Sequence, residues 1–204
     1  MTPTEEHTAP EPTRKLIAWV VLSLDGFSAG PGGDMAWLGP HAAHEQVMTY
    51  HEGIWRGVST ALMGRTNYEG FFGFWPPVAQ DPHSAPRDRA LATWLDSVEK
   101  VVFSRTLDGA EWQNARVASD LEGEVRALKR TPGQDILVLN SASIIRALLD
   151  LGQVDELRVL VVPAVLGDGL RLFPQGLSSS TWRLLGCTTF STGAVGLHYG
   201  RQQL

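Results

Sequence analysis

The sequence predicts an α/β fold with a mainly parallel central sheet and helices on both of its faces. Short apolar runs that suit buried strands alternate with helical segments along most of the chain, which favours parallel strands joined by crossover helices. Several of these runs end in turns that carry glycine, serine or arginine. Two final runs, at 182–190 and 194–201, flank Ser191-Thr192-Gly193 and predict a terminal antiparallel hairpin.

The composition is that of one globular domain. The chain has 204 residues, of which 43% are hydrophobic and 19% are charged. Its formal net charge of −5 argues against general binding to nucleic acid or to acidic membranes. No apolar stretch approaches the ~20 residues that are needed to span a bilayer. The single cysteine, Cys187, excludes a disulfide framework and fits a reducing cytoplasm.

The N-terminal part of the chain divides into a tail and the start of the domain. Residues 1–14 are rich in proline, threonine and glutamate and lack the apolar core of a signal peptide, which predicts a disordered tail. Residues 15–204 show no repeat and no break in composition, so a single domain is expected. A strand is expected at 15–22, then a glycine-rich loop at 23–37 and a helix at 41–54.

The stretch 58–70 has the pattern of an anion site at the end of a strand. An apolar run at 58–63 ends on Gly64, which suits a tight turn, and Thr66 is the predicted N-cap of a helix that contains 68–75. The N-terminus of a helix has unpaired N–H groups, and the guanidinium of Arg65 beside it suits a phosphate. An ordinary strand–turn–helix with a surface arginine fits the same residues.

The rest of the chain continues the alternation. The further segments are a proline-punctuated loop at 76–86, helices at 87–95 and 121–130, and strands at 100–104, 135–139 and 156–162. A third helix is expected after the turn Asn140-Ser141-Ala142-Ser143 and runs through Leu149. Asp120 is the predicted N-cap of the second of these helices, and Gly152 the predicted C-cap of the third. In such a sheet the ligand lies beyond the carboxyl ends of the strands, where the polar turns also lie.

These turns, taken in order, carry a family resemblance. The motifs are Ser23-Leu24-Asp25-Gly26-Phe27, 63–69, 101–105, Ser141-Ala142, 154–157, 163–169 and Leu172-Phe173. The chain resembles the dihydrofolate-reductase-like superfamily, and within it the branch related to the reductase domain of the bifunctional riboflavin-biosynthesis deaminase–reductase. The resemblance covers residues 15–201. It implies a three-layer α/β/α fold with a mostly parallel mixed sheet, a C-terminal antiparallel hairpin, and NADPH as the cofactor.

The resemblance also implies which residues hold NADPH. Arg65, next to Gly64, would bind the 2′-phosphate, and Thr66 would lie near the pyrophosphate. Ser104 and Arg105 would flank the adenosine, although a strand-end cap and a solvated arginine fit them as well. The remaining cofactor residues implied are Leu24, Asn140, Ser141, Ala142 and Ser143. Charge-assisted hydrogen bonds, worth roughly 1.5–3 kcal/mol each, would separate NADPH from NADH.

The catalytic and substrate-binding residues are implied in the same way. Asp25 is a candidate for a proton relay or a substrate-binding carboxylate, although a simple Asp-Gly turn fits it equally. Asp34 and Trp37 would close a mobile loop over the substrate. Gly167 and Asp168 would face the same cleft, and a flexible loop is their alternative. The activity implied is hydride transfer to a small heterocyclic or carbonyl substrate, with 5-amino-6-(5-phosphoribosylamino)uracil nearest by family.

The sequence departs from the family at two places. The turn that is usually Gly-Gly or Gly-Ser is Asn140-Ser141 here, and asparagine tolerates the left-handed conformation next best, although its side chain could crowd a phosphate. True dihydrofolate reductases follow their loop tryptophan with proline and then a carboxylate that binds the pterin, whereas Trp37 precedes Leu38-Gly39-Pro40 with no acid. A pterin reductase is therefore an alternative and not the first choice.

The sequence also fits other functions. His41, His44 and His51 could share one helical face, with Glu45 and Glu52 near, which would suit a metal-dependent hydrolase; no metal site is the preferred expectation. A non-catalytic nucleotide-binding protein that retained the fold is a further alternative. Among the partners, a homodimer is expected from the family and from the apolar hairpin at 182–199, and neither nucleic acid nor a membrane is expected.

Overall fold

A computed structural model describes residues 14–202 of the chain and shows an α/β fold built on one large sheet. The strands are β1 (Leu16–Ser23), β2 (Phe27–Ala29), β3 (Val58–Gly64), β4 (Glu99–Phe103), β5 (Ala115–Ala118), β6 (Asp135–Leu139), β7 (Glu156–Val162), β8 (Leu170–Arg171), β9 (Trp182–Thr189) and β10 (Val195–Arg201). The helices are α1 (Gly39–Ala42), α2 (Glu45–Trp55), α3 (Arg65–Gln80), α4 (Pro86–Ser97), α5 (Leu121–Arg130) and α6 (Ala142–Asp150).

The large sheet has the strand order β5-β4-β3-β6-β1-β7-β10-β9. Neighbouring strands from β5 to β7 are parallel, and β10 is antiparallel to both β7 and β9. The remaining strands, β2 and β8, form a separate antiparallel pair. The α/β class, the mainly parallel sheet and the terminal hairpin are therefore confirmed.

Two apolar cores lie on the two faces of this sheet and make it the middle of three layers. Alternate residues of β1 belong to different cores, with Trp19 in one and Val20 in the other, because successive side chains of a strand point to opposite faces. Helices α2, α3 and α4 pack in the first core, and α5 and α6 in the second. A strand buried on both faces reads as a continuous apolar run, which is why β1 was recognisable in the sequence.

The direction of the connections reverses between β3 and β6. From β3 the chain passes through α3 and α4 to β4 on one side, and from β6 it passes through α6 to β7 on the other side. Such a reversal opens a crevice at the carboxyl ends of the two strands, where ligands bind in open α/β sheets. The crevice lies between Gly64, at the end of β3, and Asn140, which follows β6.

Three element boundaries differ from the sequence prediction. The predicted loop at 76–86 is helical as far as Gln80, because the packing of Phe71, Phe72 and Trp75 holds α3 together through its two prolines. The predicted helix at 41–54 is two helices, with His44 as the N-cap of the second. The predicted loop at 23–37 contains β2 and two short 3-10 helices.

The predicted caps have mixed outcomes. Asp120 is confirmed as an N-cap, since its Oδ1 accepts a hydrogen bond from Gly123 N at 3.0 Å. Gly152 is not itself the C-cap, which is Leu151, but it follows it with a φ of 66°. Its N–H and that of Gln153 donate to the carbonyls of Leu149 and Leu148, so it ends α6 in a Schellman motif. Thr66 as N-cap is wrong: α3 begins at Arg65, and Gly64 is its N-cap.

The chain before β1 is tied to the sheet from Arg14 onwards. The side chain of Arg14, which the prediction assigned to the tail, is buried and donates to Thr60 Oγ1 at 2.7 Å and to the Gln134 carbonyl at 2.5 Å. The other residues of the predicted tail, 1–13, lie outside the described residues. Between residues 14 and 202, no helix is both long and apolar enough to cross a membrane.

Candidate cofactor and substrate cleft

A cleft of about 690 Å³ opens at the carboxyl ends of β3 and β6. This volume lies within the ~300–1,000 Å³ that is usual for small-molecule sites. The lining comprises the N-termini of α3 and α6, the later turns of α3, and residues in and near the β2–β8 pair. Because a helix rises roughly 1.5 Å per residue, Phe74 and Trp75 lie roughly 13–15 Å along α3 from Arg65, at the other end of the cleft. Of the predicted cofactor residues, Gly64, Arg65, Thr66 and 140–143 line the cleft together.

The two helices that start at the cleft lack side-chain caps. Neither Gly64 at the start of α3 nor Ser141 at the start of α6 makes a side-chain cap hydrogen bond. The first N–H groups of a helix have no intrahelical partner, and the dipole makes that end positive. Two such N-termini side by side form a site for phosphate oxygens.

Gly64 and Ser141 join these two helix starts. The buried N–H of Gly64 donates to Ser141 Oγ at 3.0 Å. A Cβ added at Gly64 would lie 3.1 Å from that oxygen and 3.4 Å from Ser143 Oγ. The close approach of α6 therefore favours glycine here, since a larger residue would displace these hydroxyls by a few tenths of an ångström, although the φ of Gly64 is an ordinary −82°.

Asn140 occupies the turn between β6 and α6 in the left-handed region, with a φ of 49°. Its Oδ1 accepts a hydrogen bond from Val21 N at 3.2 Å, beyond the point where β1 stops pairing with β6. The prediction that asparagine supports this turn is confirmed. The side-chain oxygen of Asn140 therefore gives the N–H of Val21 a hydrogen-bond partner. A glycine at position 140 would have no side chain to provide it.

Arg65 is the only charged residue that lines the cleft within the described part of the chain. Its side chain is 47% exposed; Nε donates to Glu69 Oε1 at 2.7 Å and Nη1 to Thr106 Oγ1 at 2.9 Å. These contacts hold the guanidinium at the N-terminal end of α3. Its other N–H groups make no hydrogen bond to the described residues and are available to an anion.

The strand end after β4 is arranged differently from the prediction. Ser104 Oγ accepts hydrogen bonds from the N–H groups of Thr106 and Leu107, both at 3.1 Å, so the hydroxyl caps its own turn. Arg105 is exposed and has no hydrogen bond or ion pair with residues 14–202. Neither lines the cleft, whereas their neighbour Phe103 does.

Asp25 anchors one loop to another. Its carboxylate accepts hydrogen bonds from Ser23 Oγ at 2.6 Å, Gly167 N at 2.7 Å and Leu166 N at 3.1 Å. The hydrogen bond from Ser23 and those from the two backbone N–H groups lower its pKa to about 2. A carboxylate that ionises so readily is a poor proton donor at neutral pH, so these contacts favour a positioning role over the predicted proton relay.

The other predicted catalytic and substrate residues also lie outside the lining of the cleft. The carbonyl of Asp34 accepts hydrogen bonds from Gly30 N at 2.8 Å and Trp37 Nε1 at 3.2 Å, which folds the loop on itself. Leu24 is 62% exposed, and its N–H donates to the Ala164 carbonyl at 2.7 Å. Gly167 contacts Asp25 as described, and the carboxylate of Asp168 accepts from Gly169 N.

Sequence reasoning missed the residues that form the apolar end of the cleft. They are Met35, Phe71, Phe74, Trp75 and Leu170. For the three aromatic residues a signal existed, because positions i, i+3 and i+4 share one face of a helix. No local pattern distinguishes the other two.

The histidine alternative is not supported by the geometry. The break between α1 and α2 separates His41 from His44, so the three histidines do not share one helical face. The ring of His51 stacks on Trp19, a residue of the first core, with the ring centroids 4.9 Å apart. Among residues 14–202, no group of three His, Cys, Asp or Glu side chains is placed to hold a metal ion.

Comparison with known proteins identifies relatives of the chain. The model of the RibD C-terminal domain family matches residues 14–195. YyaP of Bacillus subtilis strain 168 is 30% identical over 188 residues, which are 91% of this chain and 94% of YyaP. Among solved structures, a putative riboflavin biosynthesis protein from Shewanella sp. PV-4 has a TM-score of 0.72 at 21% identity. The match covers 93% of this chain and 99% of the Shewanella chain.

Two further solved structures share the fold. The deaminase/5-amino-6-(5-phosphoribosylamino)uracil reductase of Thermotoga maritima has a TM-score of 0.64 at 13% identity; the match covers 93% of this chain and 57% of that one. Dihydrofolate reductase of Enterococcus faecalis, in complex with NADP(H), has a TM-score of 0.60 at 13% identity, with 93% and 97% covered. The chain belongs to the RibD C-terminal domain family and has the dihydrofolate-reductase-like fold.

Proposed function

We propose that the protein is an NADPH-dependent reductase that transfers a hydride to a small heterocyclic or carbonyl substrate. The observation that carries the proposal is the pair of helix N-termini without side-chain caps, which Gly64 and Ser141 join. Arg65, the one cation that lines the cleft among residues 14–202, flanks them. Related structures include a reductase of riboflavin biosynthesis and a reductase in complex with NADP(H), which supports the same activity.

The residues of the cleft fit the dinucleotide. Arg65 would bind the 2′-phosphate, because its free N–H groups suit a dianionic oxygen cluster. Thr66 and the N-terminus of α6, at 141–143, would bind the pyrophosphate through N–H groups and the helix dipole. Bound NADPH supplies the hydride. The protein would hold the dinucleotide in this cleft, whose other end is apolar and would contact the substrate.

The named activities of the relatives give the candidate substrates. The Thermotoga relative is named as a phosphoribosylamino-uracil reductase, and that substrate is the nearest by family. A pterin is less well supported, because no carboxylate lines the cleft in the described part of the chain. The loop anchored by Asp25, with Asp34 and Trp37 in its fold, would position the cleft wall and would not itself transfer a proton.

Assembly and location complete the proposal. Strand β9 is the outer strand of the sheet, and Leu184 and Leu185 on it are 53% and 44% exposed. We propose that a homodimer covers this edge, since an exposed apolar strand edge favours pairing with another chain. A cytoplasmic location fits the single cysteine and the need for NADPH. No contact with nucleic acid or a membrane is proposed for this acidic chain.

The test is an assay of NADPH oxidation in the presence of heterocyclic and carbonyl acceptors. Oxidation is measured as the loss of the absorbance of the reduced nicotinamide. Turnover that depends on Arg65 is the expected result. Binding of NADPH without turnover of any acceptor would favour the non-catalytic alternative. No binding of NADPH would contradict the proposed function altogether.

A further inference from the structure

The end of the cleft remote from Arg65 is apolar and open to solvent. Phe74 is 60% exposed, Leu170 is 41% exposed and Met35 is 38% exposed, and all three line the same cleft. Isolated exposed apolar side chains are common, but a cluster of them within one concave surface marks a binding site. These side chains gain little from packing in the protein alone, so a ligand that covers them is stabilised by the apolar area it removes from water.

One wall of this end is aromatic. Phe71, Phe74 and Trp75 lie at helical spacing on α3, and the ring of Trp75 is 5.0 Å from that of Phe74 and 6.3 Å from that of Phe71. Aromatic groups prefer to meet other rings in offset or edge-to-face arrangements, which are worth roughly 0.5–1.5 kcal/mol beyond the area buried. The wall therefore favours a planar, conjugated ligand.

Among residues 14–202, the part of the lining along the later turns of α3 has no charged side chain. Arg65 is the one charged residue in that described lining, and it lies at the start of α3, nine residues and roughly 13 Å of helix before Phe74. The proposed function uses it for the cofactor. An anionic group on a ring that packs against this wall would therefore lose water without gaining a cation from the lining. Burial of an unpaired charge is strongly unfavourable, so the wall selects against rings that carry an anionic group.

The cleft also has no side-chain acid to complete a reduction. None of the lining residues within 14–202 is an Asp, Glu, His, Cys, Lys or Tyr, and Asp25 is ionised and occupied by its loop contacts. Reduction of an isolated ketone or imine needs a proton at the reacting atom. A conjugated acceptor forms a delocalised anion that water can protonate, so it depends less on such a donor.

We propose that the substrate is an uncharged, planar, conjugated carbonyl compound, of which a quinone is the simplest example. The inference rests on the proposed function and narrows its substrate class, so that the phosphorylated uracil that is nearest by family is replaced by an uncharged carbonyl acceptor. In the reaction, the quinone gains a hydride, which brings both electrons, and one proton from water. It leaves as the hydroquinone, and NADPH leaves as NADP⁺, so electrons and protons balance.

The experiment measures binding of two naphthoquinones that differ in charge. One carries a methyl group (menadione) and the other carries a sulfonate on the same ring. Binding is measured by the quenching of tryptophan fluorescence. The protein is saturated with NADP⁺, which carries no hydride, so no turnover occurs. All variants carry Cys187→Ser, because Cys187 is exposed and thiols add to quinones. Binding of NADPH to the same protein is recorded first, by its thermal shift.

The expected result is that menadione binds roughly 10- to 100-fold more tightly than the sulfonate. Phe74→Arg is expected to remove or reverse this preference, because the added cation would pair with the sulfonate. Phe74 is exposed enough to be replaced without unfolding the protein. Met35→Arg is expected to have the same effect independently. Leu151→Arg is the control, because Leu151 is 38% exposed, as Met35 is, and lies at the far end of α6. It leaves the preference unchanged.

Three results would overturn the inference, and they differ in what else they overturn. NADPH binding with equal or tighter binding of the sulfonate contradicts the substrate class alone and leaves the proposed function standing. The same holds if Leu151→Arg changes the preference as much as Phe74→Arg does. Absence of NADPH binding contradicts the proposed function and this inference together.

Discussion

The backbone N–H of Gly64 donates a hydrogen bond to the hydroxyl of Ser141 at 3.0 Å, across 77 residues of sequence. This contact places the starts of α3 and α6 side by side at the carboxyl ends of two neighbouring strands. Ser141 makes no side-chain cap hydrogen bond to its own helix. The phosphate binding that we propose depends on this arrangement.

Replacement of Gly64 by alanine is expected to separate the two helix starts. The added Cβ would lie 3.1 Å from Ser141 Oγ, so α6 must move or the hydrogen bond must break. We expect a loss of roughly 1–3 kcal/mol in the free energy of unfolding, measured with urea, and weaker NADPH binding. Gly73→Ala is the control, because that Cβ meets nothing within 4 Å and should stabilise α3 slightly. Equal effects of the two substitutions would contradict the close-approach argument.

Arg65→Ala is expected to lower the affinity for NADPH by roughly 10- to 100-fold and to change that for NADH little. The reason is that only NADPH carries the 2′-phosphate assigned to this guanidinium. Isothermal titration with both nucleotides measures the difference. Arg126→Ala is a matched control, since Arg126 forms a comparable i, i+4 ion pair with Glu122 on α5. Equal losses for NADPH and NADH would rule out the 2′-phosphate assignment.

Asn140 can be tested by two substitutions that separate its backbone from its side chain. Asn140→Gly keeps the φ of 49° accessible but loses the hydrogen bond to Val21 N, so a cost of about 1 kcal/mol is expected. Asn140→Ala loses both and should cost roughly 1–2 kcal/mol more. NADPH affinity should survive in the glycine variant. A large gain in NADPH affinity on Asn140→Gly would show instead that the asparagine side chain obstructs the phosphate.

We expect His51 to make the stability of the folded protein sensitive to acid. Burial lowers its pKa from 6.5 to about 4, because the ring stacks on Trp19 and its Nε2 has no hydrogen-bond partner among the described residues. The unfolded chain then binds a proton that the folded chain does not. Stability should therefore fall as pH decreases from about 6.5 to about 4, by roughly 2–3 kcal/mol from this residue.

His51→Phe keeps an aromatic ring against Trp19 and removes the titration. Urea unfolding at several pH values should show a flatter decline between pH 6.5 and pH 4 in this variant than in the wild type. His83→Gln, at an exposed position, is the control and should follow the wild type. If the His51→Phe curve stays parallel to the wild-type curve, His51 is not the group responsible.

The main features of the fold and the phosphate end of the cleft could be predicted from the sequence. Buried parallel strands read as apolar runs, and the turns after β3 and β6 carry their glycine, arginine, asparagine and serine at fixed places. Because parallel strands end at one edge, residues 64–66 and 140–143 had to lie on the same side of the sheet. The structure brings them into one cleft.

The apolar end of the cleft could not be predicted from the sequence in the same way. Which apolar side chains of α3 remain exposed depends on where the β2–β8 pair lies, and that pair consists of strands too short to leave a periodic pattern. The hydroxyl of Ser104 is used by the N–H groups of its own turn, which residue type alone does not reveal. The carboxylate of Asp25 is likewise committed to a loop that follows it by about 140 residues.

The measurement that tests the central claim most directly is thermal unfolding of the protein alone, with NADPH and with NADH. A nucleotide at 100 times its dissociation constant adds about 2.7 kcal/mol, which raises the melting temperature of a domain of this size by several degrees. The account predicts such an increase with NADPH and a much smaller one with NADH at the same concentration. No increase with either nucleotide would contradict it, and the cleft between α3 and α6 would not be a cofactor site.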